Sequence, residues 1–312
     1  MNARQTPLRQ ALADYLDLRR ALGVELSTAG RLLLQYLGWL DEHGLDTITI
    51  DNALAWATLP DGAAPAWQAI RLGAIRGFAA HLHSIDPIIE VPPAAVIRRG
   101  PDRATPYIYT DAEVSALIKA ASELKPRLRA ATYQTLISLL VITGCRIGEL
   151  IALDTGDVDT GHNLLMVRDA KAGSSRLVPL EATAMAALAR YADLRDQAHP
   201  YPASPALLLS ARGTRLLHSN IGFTYARLLE RASITRRSAA CRPRIHDHRH
   251  SFAVNTVRDW YARGADVPAM MPRLSTYLGH SDPKHTFWYL SAAPELMAMA
   301  GQRLDAYLGG RS

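Results

Sequence analysis

His246-Asp247-His248-Arg249-His250, then a helical run, then Leu278-Gly279-His280 and, nine residues later, Tyr289: this stretch decides how the rest of the chain is understood. It holds five of the eleven histidines. If the intervening helices fold back on one another, the spacing brings an arginine, two imidazoles and a phenol to one small anion, for which phosphate is the candidate. Three histidines at alternate positions also suit one face of a strand and a metal ion. Downstream residues favour a helix instead, because Phe252, Ala253, Val257 and Trp260 recur at three- and four-residue steps and Gly264 closes the run. On a helix His246 and Arg249 share a face while His248 turns away, so His248 is expected in packing or a local hydrogen bond.

Working outward, 312 residues exceed what one core usually supports, and 48% apolar residues are material for two domains. A formal net charge of +6 favours an acidic partner, nucleic acid above all. Two cysteines, Cys145 and Cys241, are too few for a disulfide framework or a four-ligand zinc site, and Cys145 reads as a small core residue. The chain opens Met1-Asn2-Ala3-Arg4-Gln5, without an apolar signal segment and without an uncharged span of about eighteen residues. A cytoplasmic protein is expected.

The first ninety or so residues read as four helices. Leu8, Leu12, Tyr15 and Leu16 form one stripe ending at Gly23, and Leu32, Leu33, Tyr36, Leu37 and Leu40 a second ending at Gly44. A shorter helix starts near Asp51 and a long one runs from about Ala64 to His83, where Arg71 and Arg76 are candidates for contact with DNA phosphates. Residues 1–86 are therefore expected as a helical domain. Prolines 87, 92, 93, 101 and 106, with Arg98, Arg99 and Arg103, mark 87–109 as a stiff basic linker suited to a clamp around DNA, Arg98 and Arg99 being further contact candidates.

Thr110-Asp111-Ala112-Glu113 is a capping box that opens the next helix. Another helix, from Pro126, stops at Gly144, and Cys145-Arg146-Ile147-Gly148-Glu149-Leu150 follows as a short helix with an arginine on an apolar background. Such an arginine needs an anion, either Glu149 or a DNA phosphate. Asn163–Arg168 and Ser175–Val178 read as two strands joined by a turn that contains Lys171. Helices at about Glu181–Gln197 and Ser219–Ala232 lead to a basic loop, where Arg242 and Arg244 complete the set of DNA-contact candidates. The fold class expected is mainly α with a small β-hairpin or sheet (α+β).

Thr143-Gly144-Cys145-Arg146-Ile147-Gly148-Glu149-Leu150, a hairpin Lys171 eight residues before Pro179, His246-x-x-Arg249, Leu278-Gly279-His280 and Tyr289 together resemble the tyrosine site-specific recombinases of the phage-integrase family. The order and spacing hold across some 180 residues, and the chain looks most like integrases and transposases of bacterial mobile elements. The resemblance implies a helical core-binding domain over 1–86 and a mixed catalytic domain over 110–293. It also implies roles. Arg146 and Arg249 would clamp the scissile phosphate and Tyr289 would attack it, forming a covalent 3′-phosphotyrosine. Lys171 would protonate the departing 5′ oxygen, His246 would assist proton transfer at the tyrosine, and His280 would hydrogen-bond the phosphate. Glu149 would support Arg146.

No metal, ATP or other cofactor is expected. The partners expected are double-stranded DNA with specific recombination sites and further copies of the chain, as a tetramer on synapsed DNA at the bacterial nucleoid. Residues 294–312 read as a terminal apolar helix, with Leu296, Met297, Met299, Ala300, Leu304, Tyr307 and Leu308, that packs in cis or docks in trans on a neighbouring protomer. Tyr261 and Tyr277 are rivals to Tyr289. Two other functions stay open at this point: a catalytically silent DNA-binding accessory protein, and a metal-dependent hydrolase built on the histidines.

Overall fold

The computed structural model describes residues 7–59, 61–97, 105–168, 175–279, 282 and 286–287. Lys171, His280, Tyr289, Arg98, Arg99 and the tail 294–312 lie outside the described residues. The chain divides into two compact units, Met1–Arg103 and Ala104–Ser312. No helix among the described residues is long and apolar enough to cross a membrane.

The first unit is built from α1 (Pro7–Ala21), α2 (Ser27–Glu42), α3 (Ile50–Thr58) and α4 (Pro65–His83). Apolar stripes at helical spacing close on one core of Leu12, Leu33, Tyr36, Leu37, Trp56, Ile75 and Phe78. Several of the polar atoms drawn inside are paired with one another. The Tyr36 hydroxyl donates to Asn52 Oδ1 at 2.5 Å, and the same oxygen accepts from the Thr49 backbone N–H at 3.0 Å to cap α3. Arg71 belongs to this interior. Its guanidinium lies 3.6 Å over the Trp56 ring and donates to the Trp56 carbonyl at 2.6 Å, with the residue only 8% exposed. The expectation that Arg71 touches DNA is corrected: its long stem and planar head fill a gap against tryptophan, a use that charge alone does not reveal. Arg76 is half-buried on the same helix.

The stretch expected as a linker is taken up from both ends. Ile89 and Ile97 pack on the first core, and the Ile50 N–H donates to Glu90 at 2.7 Å. Tyr107 and Tyr109 are buried in the second unit.

In that second unit α5 (Asp111–Ser122) begins with the Thr110–Glu113 capping box, and α6 (Arg127–Thr143) runs through the middle of the core. Buried α6 side chains point in all directions around the helix, so it packs against α5, α8 (Ala182–Ala198) and α10 (Asp247–Ala262). After α7 (Ile147–Ala152) comes a three-stranded antiparallel sheet, β1 (Val158–Asp159), β2 (Leu164–Arg168) and β3 (Ser175–Pro179), in the order β1-β2-β3. Leu165 and Val167 of β2 and Val178 of β3 face the core, while Met166 and Leu177 face solvent, the period of two that marks a half-buried strand. β1 is an addition to the expected hairpin: two residues are too few to show alternation in a sequence. α9 (His218–Arg231) and α11 (Val267–Leu278) complete the α-helices among the described residues. α10 and α11 pack through Ala253, Val254, Val257, Met271, Leu274 and Leu278, so the motifs at their ends are brought together.

Candidate active site

Two helix ends form the floor of the site. α6 stops at Gly144, whose φ of +60° is left-handed, and α11 stops at Gly279 with φ +67°. Helix C-termini leave carbonyls without intrahelical partners and carry partial negative charge, so they attract cations. Arg249, from the first turn of α10, donates to the Gly144 carbonyl at 2.9 Å and to the Leu278 carbonyl at 2.5 Å, and is 2% exposed. Arg146 donates to the next carbonyl, Gly279, at 3.1 Å. Two guanidinium groups from distant parts of the chain therefore sit on consecutive carbonyls, one residue ahead of His280 in the sequence. Arg146 keeps 37% of its side chain exposed, the open member of the pair.

The Arg146 side chain is fixed by Glu149. As the residue before α7, Arg146 donates its backbone N–H to Glu149 Oε2 and its Nη1 to Oε1, both at 2.8 Å. Glu149 also receives Arg176 of β3, from Nη1 at 3.1 Å and Nη2 at 2.7 Å. Burial by itself raises the Glu149 pKa, but the hydrogen bonds from Arg176 and Arg146 outweigh it and hold the carboxyl below its usual range. For Arg176 burial opposes the charge, and Glu149 more than restores it.

His246 immediately precedes α10, with its ring edge-on to His250 at 5.0 Å. Although His246 stays open to solvent on one side, burial of its ring and then the Arg249 charge push its pKa below the usual histidine value, so the imidazole is mainly neutral at pH 7. Its neighbour Asp247 is fully buried and receives Arg244, from Nη2 at 2.8 Å and Nε at 3.1 Å. Arg244, a DNA-contact candidate, thus orients the start of α10, while Arg242 is exposed.

His248 turns to the opposite side. It stacks on Tyr109 at 4.3 Å and its Nε2 lies 2.8 Å from the Tyr225 hydroxyl. Since that hydroxyl donates to Tyr109, which donates to the Arg244 carbonyl, His248 serves as the Nε2–H donor at the head of a one-directional chain. Among the described residues no group of three or more His, Cys, Asp or Glu side chains could hold a metal ion.

Cys145 is buried, and burial raises its thiol pKa, as expected of a core residue. Tyr277, one rival nucleophile, stacks on Phe252 at 5.5 Å and burial pushes its hydroxyl up to about 12. Tyr261 is half-buried at the end of α10. The residue that sequence reasoning missed is Arg176. A signal for it exists: it shares strand parity with the buried Val178, so β3 sends an arginine inward.

Residues 108–295 match the Phage integrase family. The chain is 39% identical over 303 residues to a Sinorhizobium fredii protein named as an integrase/recombinase, y4rB, covering 95% of this chain and 96% of that one. It is 31% identical over 292 residues to tyrosine recombinase XerD of Mycobacterium leprae, covering 85% and 87%. Among solved structures, the Tn1549 transposon integrase in complex with transposon right end DNA superposes with a TM-score of 0.65 at 18% identity, over 95% of this chain and 98% of that one, a likeness of fold. The chain belongs to the phage integrase family and is a tyrosine site-specific recombinase that breaks and rejoins DNA.

Proposed function

We propose that Arg146 and Arg249 clamp the scissile phosphate of a recombination site in double-stranded DNA while Tyr289 attacks it. The observation that carries this reading is the seating of both guanidinium groups on the adjacent Leu278 and Gly279 carbonyls. Forked N–H donors suit the nonbridging phosphate oxygens, where negative charge builds during the attack. They supply the positive charge that metal ions provide in many phosphoryl-transfer enzymes, so cleavage runs without metal.

The Tyr289 oxygen bonds to phosphorus, the bond to the 5′ oxygen breaks, and Lys171 gives that oxygen its proton. His246, mainly neutral at pH 7, accepts the tyrosine proton, and His280 hydrogen-bonds the phosphate. The phosphotyrosine conserves the energy of the broken diester, so a second 5′ hydroxyl reverses the step without ATP. The helical first unit acts as the core-binding domain, with Arg76, Arg98, Arg99 and Arg242 the remaining candidates for DNA contact. Four protomers assemble on two synapsed sites, in service of a bacterial mobile element.

Trapping on nicked suicide DNA tests the reading. The native chain is expected to form a covalent adduct, and Tyr289→Phe, which removes one oxygen, is expected to bind DNA nearly as well and form none. An adduct with the Phe variant refutes the nucleophile, and none with the native chain favours a silent DNA-binding accessory protein.

A further inference from the structure

The carboxylate of Glu149 is saturated by two arginines. Each of its oxygens accepts one N–H from Arg146 and one from Arg176: Oε1 from Arg146 Nη1 at 2.8 Å and Arg176 Nη1 at 3.1 Å, Oε2 from the Arg146 backbone at 2.8 Å and Arg176 Nη2 at 2.7 Å. We propose that Arg176 is a positioning residue for DNA cleavage: it holds Glu149 from the β3 side, so that Arg146 is aimed at the phosphate and keeps its net positive charge. The proposal rests on the reading of Arg146 as a phosphate clamp.

Three features carry it. The first is geometry. Arg176 grips Glu149 with a two-point fork, which fixes the plane of the carboxylate and hence the direction in which Nη1 of Arg146 is drawn. Arg176 is itself well packed, with 15% of its side chain exposed, so its position is set by the sheet.

The second is charge. An isolated Arg146–Glu149 pair is neutral, and an incoming phosphate would meet a guanidinium whose field is cancelled at 2.8 Å. Adding Arg176 makes the cluster net positive by one unit. Glu149 is then shared, and Arg146 retains attraction for an anion.

The third is the contact with Gly279. A Cβ at position 279 would lie 3.1 Å from Arg176 Nη1 and 3.8 Å from Arg146 Nη1. The missing side chain leaves room for the Arg176 guanidinium beside the end of α11, where Gly279 supplies the carbonyl bound by Arg146. Arg176 therefore holds Glu149 directly and lies beside Gly279, the two groups that orient Arg146, although it is not itself assigned to the reacting atoms.

The test is single-turnover cleavage of suicide DNA by the full chain, with either a normal scissile phosphate or a methylphosphonate in which one nonbridging oxygen is replaced by methyl and the negative charge is gone. Arg176→Ala is expected to slow cleavage of the normal diester by about 10- to 100-fold, the range for losing a residue that orients a reactive group, with DNA affinity unchanged. Because the effect runs through the Arg146 charge, the deficit is expected to shrink on the neutral DNA, in parallel with that of Arg146→Ala. Arg176→Lys, which keeps the charge and loses the fork, is expected to fall between the native chain and Arg176→Ala.

An equal deficit on both DNAs, or a deficit explained by weaker DNA binding, overturns the proposal. If Arg176→Ala does not fold, Arg176→Lys decides the matter, and cleavage by it at the native rate also overturns the proposal. If Arg146→Ala cleaves the normal diester at the native rate, the clamp reading itself fails. A slow Arg146→Ala beside a fully active Arg176→Ala leaves the clamp intact and removes only the role of Arg176.

Discussion

Gly144→Ala reaches both the fold and the site through one added methyl group. Gly144 has φ +60°, where an L side chain costs roughly 1–2 kcal/mol. An added Cβ would also stand 2.5 Å from Phe252 Cδ1 and 2.8 Å from its Cγ, far inside contact distance. The ring is stacked on Tyr277 at 5.5 Å, so moving it disturbs the α10–α11 packing, an overpacking cost of about 1–3 kcal/mol. The sum is a destabilisation of about 2–5 kcal/mol, measurable by urea unfolding. Cleavage is expected to suffer beyond the loss of folded protein, because the Gly144 carbonyl holds Arg249 at 2.9 Å. A double-mutant cycle separates the two costs: in a Phe252→Ala background the ring clash is gone and only the Cβ contact at 3.2 Å remains, so Gly144→Ala should cost little more than the backbone share of about 1–2 kcal/mol. A cost below about 1 kcal/mol in the native background, or the same cost in both, would refute the reasoning.

Arg249→Ala should slow cleavage by about 100-fold or more through loss of a charge-assisted donor, while EDTA leaves the native rate unchanged; strict dependence on added magnesium, manganese or zinc would return the histidines to a metal role. His248, with its pKa lowered to about 4 by burial, should make the fold acid-sensitive. The unfolded chain takes that proton first, near pH 6.5, so stability is lost as pH falls from about 6.5 to about 4, by an amount on the order of 3 kcal/mol. His248→Phe should flatten that part of the unfolding-versus-pH curve, and an unchanged slope would contradict the assignment. Deleting residues 294–312 should leave single-site DNA binding measurable and abolish synapsis and recombination; native-like tetramers from the truncated chain would rule out docking in trans, and failure to fold would assign the tail to its own core.

Local grammar was legible in the sequence alone. The Thr110–Glu113 box, the stop at Gly144, the stripes of the first two helices and the two strands Asn163–Arg168 and Ser175–Val178 all involve residues within a turn or two of each other, where backbone dihedrals and caps are chosen by near neighbours. The order of Arg146, Lys171, His246, Arg249, His280 and Tyr289 was also enough to identify the family. Tertiary packing decided where the distant charges went. Arg71 turned inward onto Trp56, and Arg176 crossed 27 residues to share Glu149 with Arg146. Arg249 found its carbonyls at Gly144 and Leu278, 105 and 29 positions away. A guanidinium has no periodicity of its own: its stem is apolar, its head accepts any suitable oxygen, and which oxygen lies within 3 Å is set by how whole helices and strands pack.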